Sequence, residues 1–185
     1  VGASDFAMDI PSFESLSANG ETFENVLLMG KNFSDDLASL EGQSKQLVFA
    51  GLGYAADFEG KDLSGKIALI QRGEITFVDK IKHAKEAGAE AVIIYNNTDG
   101  NIPAYLGEGI DYIPTFRMAK ADGERLKEIG NNTDITFGDL ASVQTEGDNL
   151  AGFSSRGPVA GSYDIKPDVV APGVAIFSTI PEFIN

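Results

Sequence analysis

Apolar residues in this chain fall in short blocks separated by glycine-rich or polar turns. Leu47-Val48-Phe49-Ala50 is bounded by Gly51 and Gly53 and reads as a strand running into a turn. Lys66-Ile67-Ala68-Leu69-Ile70 follows Gly65 and ends at Gln71-Arg72-Gly73, a second buried strand. Thr76 and Asp79 then have the spacing of a helix capping box. Behind them Phe77, Ile81, Ala84 and Gly88 recur at helical spacing, with Lys80, Lys82, Lys85 and Glu86 assigned to the other face. The spacing predicts a helix of about 12 residues ending near Gly88. Ala91-Val92-Ile93-Ile94-Tyr95 is a third strand, closed by the polar turn Asn96-Asn97-Thr98-Asp99-Gly100. Strand, helix, strand in this order predicts a parallel pair joined by a right-handed crossover.

The pattern continues less regularly. A loop with tyrosines and glycines runs from Asn101 to Tyr112. Ile113-Pro114-Thr115-Phe116-Arg117-Met118 resumes an extended segment, Pro114 favouring an edge or a strand start. Asp122 to Ile129 reads as a short helix stopped by Gly130 and Asn131, and Asp134-Ile135-Thr136-Phe137-Gly138 as a closing strand. The ends have another texture. Residues 1–25 are loop-rich, and residues 143–164 hold many turn formers. Asp168-Val169-Val170-Ala171 and Val174-Ala175-Ile176-Phe177 are strand-like runs around Pro172-Gly173. The pattern implies one compact module with two flanks that belong to something else.

Composition narrows the function classes. With 185 residues, 43% of them hydrophobic, the chain can bury a domain-sized core. Acidic residues number 28 against 14 Lys plus Arg, a net charge of −14. That balance argues against nucleic acid and against anionic membranes as partners, since both need clustered cations. The charge is spread over the chain rather than gathered in a tail, so it reads as a solvated surface. There is no Cys, and there is a single His. Disulfides, thiolate metal sites and multi-His sites are therefore excluded. No apolar run reaches the roughly 20 residues of a membrane span. Val1-Gly2-Ala3-Ser4 has no basic-then-apolar signal region and reads as an internal start.

Few motifs survive inspection. Gly51-Leu52-Gly53-Tyr54-Ala55-Ala56 has dinucleotide-loop spacing, but Asp57-Phe58-Glu59-Gly60 follows where a helix should start, so a plain glycine turn is the reading. His83 lies in the predicted helix with no nucleophile near it and reads as a solvent-side residue. Gly152-Phe153-Ser154-Ser155-Arg156 fails the nucleophile-elbow spacing. Asp99-Gly100-Asn101 lacks the ligand spacing of a calcium loop. Tyr105 and Tyr112 are contact candidates, because Tyr suits a site dry at one end and wet at the other. The alternative is that they lid the module's core. The loop Asn97–Tyr112 and the ridge near Arg72 form the candidate contact surface. Arg72 has its own alternative, hydrogen-bonding that loop in place. No catalytic, metal or cofactor constellation emerges, which suits a binding module.

At the centre the sequence resembles a known family. Asp62-Leu63-Ser64-Gly65-Lys66 through Gly73, then Phe77, Lys80, Ala84 and Ala87-Gly88-Ala89, then Ala91 through Asn97, is similar to the protease-associated (PA) domain. Ile113-Pro114 and Ala121-Asp122-Gly123-Glu124-Arg125-Leu126 resemble that family's second half. The flanks resemble the subtilisin-like serine proteases of peptidase family S8. Phe153-Ser154-Ser155-Arg156-Gly157-Pro158 and Lys166-Pro167-Asp168 through Gly173 are similar to the stretch before the nucleophile helix, and Val1–Ser4 to a strand end after the oxyanion-hole region.

The resemblance implies a β-rich α/β fold, about seven strands in a barrel-like sandwich with two helices, flanked by pieces of a parallel sheet. It divides the chain into a flank and lead-in (1–25), a PA domain (26–142, best match 47–140) and a flank preceding the nucleophile (143–185). The catalytic Asp, His and Ser would lie outside this stretch, so the chain alone would not be an enzyme. The implied function is a non-catalytic insert of a secreted or cell-surface bacterial endopeptidase. It would contact protein substrates and the parent's catalytic domain and regulate access to the cleft, with no cofactor. The alternatives are a spacer, a dimerisation module joined through the flanking tails, or a chain that counts as part of the protease catalytic unit. Unpaired flanking strands are the physical motive for the dimer.

Overall fold

The computed structural model describes residues 2–5, 7–147, 150, 154, 167 and 169–173. Val174–Phe177, Arg156–Lys166, Phe153 and Asp168, used in the sequence reading, lie outside the described residues. The described strands in chain order begin with β1 (Gly2–Ser4), β2 (Asp9–Phe13), β3 (Leu16–Ala18), β4 (Glu21–Phe23) and β5 (Val26–Lys31). Then come β6 (Ser44–Phe49), β7 (Ile67–Gln71), helix α1 (Phe77–Glu86), β8 (Ala91–Tyr95), β9 (Gly107–Glu108) and β10 (Thr115–Met118). Helix α2 (Lys120–Ile129), β11 (Asp134–Phe137), β12 (Leu140–Gln144) and β13 (Val170–Pro172) complete the order. The chain forms two compact units, one of Ile10–Val143 and one of Val1–Asp9 with Gln144–Asn185.

In the larger unit the sheet order is β12-β2-β5-β10-β8-β7-β6-β11-β3-β4, with β9 added beside β5. The strand–helix–strand reading holds: β7 and β8 pair in parallel, Ile67 opposite Ala91 through Gln71 opposite Tyr95. β6 and β10 extend the parallel set on either side. Every residue of β8 is buried, as a parallel strand covered on both faces requires. The sheet adds to the roughly seven strands that the resemblance implies, and three of its strands, β3, β4 and β9, are only two or three residues long. Residues 1–25, read as loop-rich apart from the strand end at Val1–Ser4, contain β1 to β4, of which only β2 exceeds three residues.

The sheet curls into a half-barrel. Five strands separate β2 from β11, so a flat sheet would hold them about 29 Å apart at normal spacing. Yet the Phe13 and Phe137 rings lie 4.9 Å apart, and Phe116 of β10 sits 5.4 and 5.6 Å from them. This aromatic trio closes one face. On the other, Val48, Ala68, Ile70, Val92 and Ile94 form a cluster with Ala84 of α1 and Ile102 of the following loop.

Local chemistry fixes both helices. Thr76 accepts the Asp79 backbone N–H at 3.1 Å and donates its hydroxyl to the Asp79 carboxylate at 2.7 Å, the expected cap. Gly88 follows the last turn at φ +90°, where a left-handed residue ends a helix. One assignment fails: Lys80 is fully buried rather than solvated. It lies three residues from Phe77 and four from Ala84, on the apolar face. Its stem packs there while its ammonium donates to the carbonyls of Leu52 and of Gln71, the latter at 3.1 Å. Helix α2 has no side-chain cap; it is seated by Gly123, where a Cβ would fall 2.1 Å from the Tyr95 side chain.

The smaller unit pairs the two ends of the chain. Gly2–Ala3–Ser4 runs parallel to Val170–Ala171–Pro172, with Gly2 N–H donating to Val169 O at 2.7 Å and Gly173 N–H to Ser4 O at 2.8 Å. Ala3 N–H donates to the Ser154 hydroxyl at 3.1 Å. The flanking strands thus pair with each other within one chain.

Candidate functional site

The candidate loop, Asn97–Tyr112, leaves the C-terminal end of β8 and returns beside β5. Its two ends are held by different means. At the start, Asn96 is 2% exposed and turns inward. Its amide donates to the carbonyls of Gly100 at 3.1 Å and Asn101 at 3.3 Å. Its side-chain oxygen accepts from Asn97 N–H at 3.0 Å and from an Arg72 guanidinium N–H at 3.1 Å. Arg72 also donates its backbone N–H to Tyr95 O at 2.8 Å, and its guanidinium carbon lies 5.9 Å from the centre of the Phe77 ring. Arg72 therefore touches the loop through Asn96.

Arg117 holds the next step. It lies in β10, is 8% exposed, and donates from Nη1 to Ile102 O at 2.6 Å. Its Nε–H has no partner among the described residues, and no carboxylate there forms an ion pair with it. Burial pulls its guanidinium below the ordinary arginine range. Ile102 itself enters the apolar cluster under α1, so a buried charge and a buried side chain fasten the same residue.

At the far end β9 adds to β5: Leu106 N–H donates to Met29 O at 2.7 Å and Gly109 N–H to Lys31 O at 3.0 Å. Tyr105 and Tyr112 both sit half-buried here. The Tyr112 ring covers the backbone of Gly30 and Gly109, where a Cβ would lie 3.2 and 2.7 Å from it. Burial pushes the Tyr105 phenol up, the Glu108 carboxylate adds to this, and Lys31 opposes it. Lys31 and Glu108 form an ion pair at 2.8 Å. The two tyrosines share one corner, whereas Arg72 meets the opposite end of the same loop.

A second loop is latched in a related way. The Asp57 carboxylate accepts the N–H groups of Leu52 at 3.1 Å and Tyr54 at 2.9 Å, so these amides are satisfied by the chain's own anion. Lys80 donates to Leu52 O, and His83 Nδ1 lies 2.9 Å from Gly53 O. His83 is half-buried against this turn rather than on the solvent side. Desolvation draws the Lys80 ammonium down to about 8, with the Asp57 carboxylate opposing the shift.

Sequence reading missed Asn96, Arg117 and Lys80. For Arg117 a signal existed, an ionisable residue inside an extended apolar run. For Asn96 there was none, because the turn it belongs to is polar throughout. Among the described residues no group of His, Asp or Glu is arranged to hold a metal ion, and no helix is long and apolar enough to cross a membrane.

Residues 43–126, from the start of β6 into α2, match the family model of the PA domain. The centre of this chain is a PA domain. Over 162 residues the chain is 45% identical to the minor extracellular protease Vpr of Bacillus subtilis, a stretch that is 86% of this chain and 20% of Vpr. Over 135 residues it is 43% identical to the C5a peptidase of Streptococcus pyogenes serotype M18, 72% of this chain and 11% of that one. The PII-type proteinase of Lactococcus lactis subsp. cremoris is 36% identical over 69% of this chain and 7% of its own length. The chain thus spans a fifth or less of these curated relatives. The matched residues are a PA domain, and the wider match is to proteases of the subtilisin-like type that carry one.

Solved structures carry the same fold. The zinc aminopeptidase BSAP from Bacillus subtilis is 33% identical with a TM-score of 0.54, over 77% of this chain and 34% of that one. An aminopeptidase from Aneurinibacillus sp. strain AM-1 is 31% identical with a TM-score of 0.55, over 76% of this chain and 35% of that one.

Proposed function

We propose that the unit Ile10–Val143 is the non-catalytic insert of a secreted or cell-surface bacterial serine endopeptidase. It contacts polypeptides and governs which of them reach the host's cleft. Its partners are the host's catalytic domain and protein substrates, and Arg72, Tyr105 and Tyr112 lie on or beside the contact loop. The observation that carries this reading is the exchange of hosts. The same module matches the extracellular protease Vpr at 45% identity and a zinc aminopeptidase structure at 33%. A unit shared by hosts of such different chemistry is not built around either reaction, and what the hosts have in common is a polypeptide substrate. Vpr's extracellular location supports secretion of the parent.

Physically, such a unit acts through shape and charge. A chain with 28 acidic residues against 14 basic ones repels acidic chains and draws basic ones. The tail-exchanged dimer loses its motive, because β1 and β13 already pair within one chain.

The test is kinetic. Residues 10–143 are removed from the intact protease, and kcat/KM is compared for a short peptide and for a folded protein with the same cleavage site. The expected result is a change for the protein that greatly exceeds the change for the peptide. Equal changes for both would sink the gating reading.

A further inference from the structure

Among the described residues the most exposed large apolar side chain is Ile110, at 78%, and Phe33 is 59% exposed. They stand on two different turns that one side chain ties together. Asn32, next to Phe33, donates from its amide to Ile110 O at 2.6 Å. Its side-chain oxygen accepts from the backbone and hydroxyl of Ser34 at 3.2 and 3.1 Å, and its N–H donates to the Asp35 carboxylate at 2.8 Å. Lys31 clamps the base, donating to the carbonyls of Asn32 at 3.1 Å and Asp35 at 3.3 Å. Both turns are therefore held by polar bonds, and neither apolar side chain supplies the packing that holds them. The bond from Asn32 thus sets two exposed apolar residues on neighbouring, polar-held turns, where neither is used for folding.

The rim is acidic. Asp35, Asp36 and Asp111 lie within the same two turns, and the neighbouring cation Lys31 at the end of β5 is already paired with Glu108 of β9. We propose that this knob docks an extended segment of a polypeptide substrate that carries an apolar side chain flanked by lysine or arginine. The apolar pair takes the side chain, and the carboxylate rim takes the flanking cations and disfavours acidic chains and anionic lipid. The inference rests on the reading of the module as a polypeptide-contact insert, and gives that reading a place and a substrate class.

The experiment uses the intact protease, rendered inactive at its catalytic serine, and three labelled peptides followed by fluorescence anisotropy. One carries Leu and Phe flanked by Lys and Arg, one the same apolar residues flanked by Glu, and one the cations without the apolar residues. The first is expected to bind best, with affinity falling as ionic strength rises from about 0.05 to 0.5 M. The double variant Phe33→Ser with Ile110→Ser is expected to weaken it about tenfold or more. Asp111→Lys, a surface change that leaves both apolar side chains in place, is the second variant and is expected to weaken it as well, through charge. Binding of the first peptide that neither variant alters overturns the knob while leaving the contact reading standing. Absence of binding, or equal binding of all three peptides, overturns the knob as well. Concentration-dependent self-association removed by the double variant overturns it in favour of a contact between copies. Failure of the contact reading is a separate result, equal effects of module deletion on peptide and protein cleavage.

Discussion

The parallel strands β6, β7, β8 and β10 and the loop Asn97–Tyr112 adjoin each other in the sequence and in the fold, yet they are held by opposite physics. The strands are fixed by burial: Ile67 to Ile70 and Ala91 to Tyr95 are all fully covered, and the two helices seal them. The loop is fixed chiefly by a handful of polar bonds from Asn96, Arg117 and the β5–β9 pairing, with Ile102 its one fully buried side chain. Apolar burial is roughly additive and spread over many residues, so no single position decides the core's shape. A polar anchor acts at one point, and its loss frees a segment without unfolding the rest. The difference teaches where variation is tolerated. A contact loop hung on a few side chains can change its exposed residues, such as Ile110, without touching the core.

The largest effect should come from the core. Ile93→Ala deletes a fully buried side chain at the centre of the parallel set and is expected to cost about 2–5 kcal/mol by urea unfolding. Loop and core should melt together in that variant. A loss below about 1 kcal/mol would mean that the sheet is not the stabilising element. Next in size is the loop anchor. Asn96→Ala leaves the Gly100 and Asn101 carbonyls and the Arg72 guanidinium without their partner, at an expected cost of about 1–3 kcal/mol. Hydrogen exchange should quicken in residues 97–106 while β8 stays protected. If Arg72 works through Asn96, Arg72→Met added to Asn96→Ala should have less effect than Arg72→Met alone. Full additivity would return Arg72 to the role of a direct contact residue.

The smallest effect is a pH dependence. Lys80 titrates near 8 in the folded chain, below its ordinary 10.5, because burial disfavours the charged form. Below pH 8 both folded and unfolded chains hold the proton, and the cost of burying the charge is present in full. Between pH 8 and 10.5 the folded chain releases it first, so this residue's contribution to stability improves as pH rises. The stability gap between the wild type and Lys80→Met should move in the wild type's favour across that window. A gap that stays constant would show that the ammonium keeps its ordinary affinity for protons.

The legible part of the fold was the part written in hydrophobic periods. Ala91–Tyr95 reads as one strand because five successive apolar residues admit little else, and Thr76 with Asp79 announces a helix start. The short strands β3, β4 and β9 were invisible, since a period needs more than one repeat. The Asn97–Tyr112 loop was legible from its glycines and tyrosines, but its anchors were not. Lys80 looked solvated because a charge is normally placed in water, and only the Leu52 and Gln71 carbonyls make its burial tolerable.

By itself the sequence determined the strand–helix–strand core, the helix caps and the family, because each follows from residues close together along the chain. Only the tertiary structure decided that the sheet curls until Phe13 meets Phe137, that Asn32 joins the Phe33 turn to the Ile110 turn, and that Arg117 fastens Ile102. Those outcomes depend on which donors meet which acceptors across the fold. Such pairings bring together positions 15 to 124 residues apart, a distance over which local pattern carries no information.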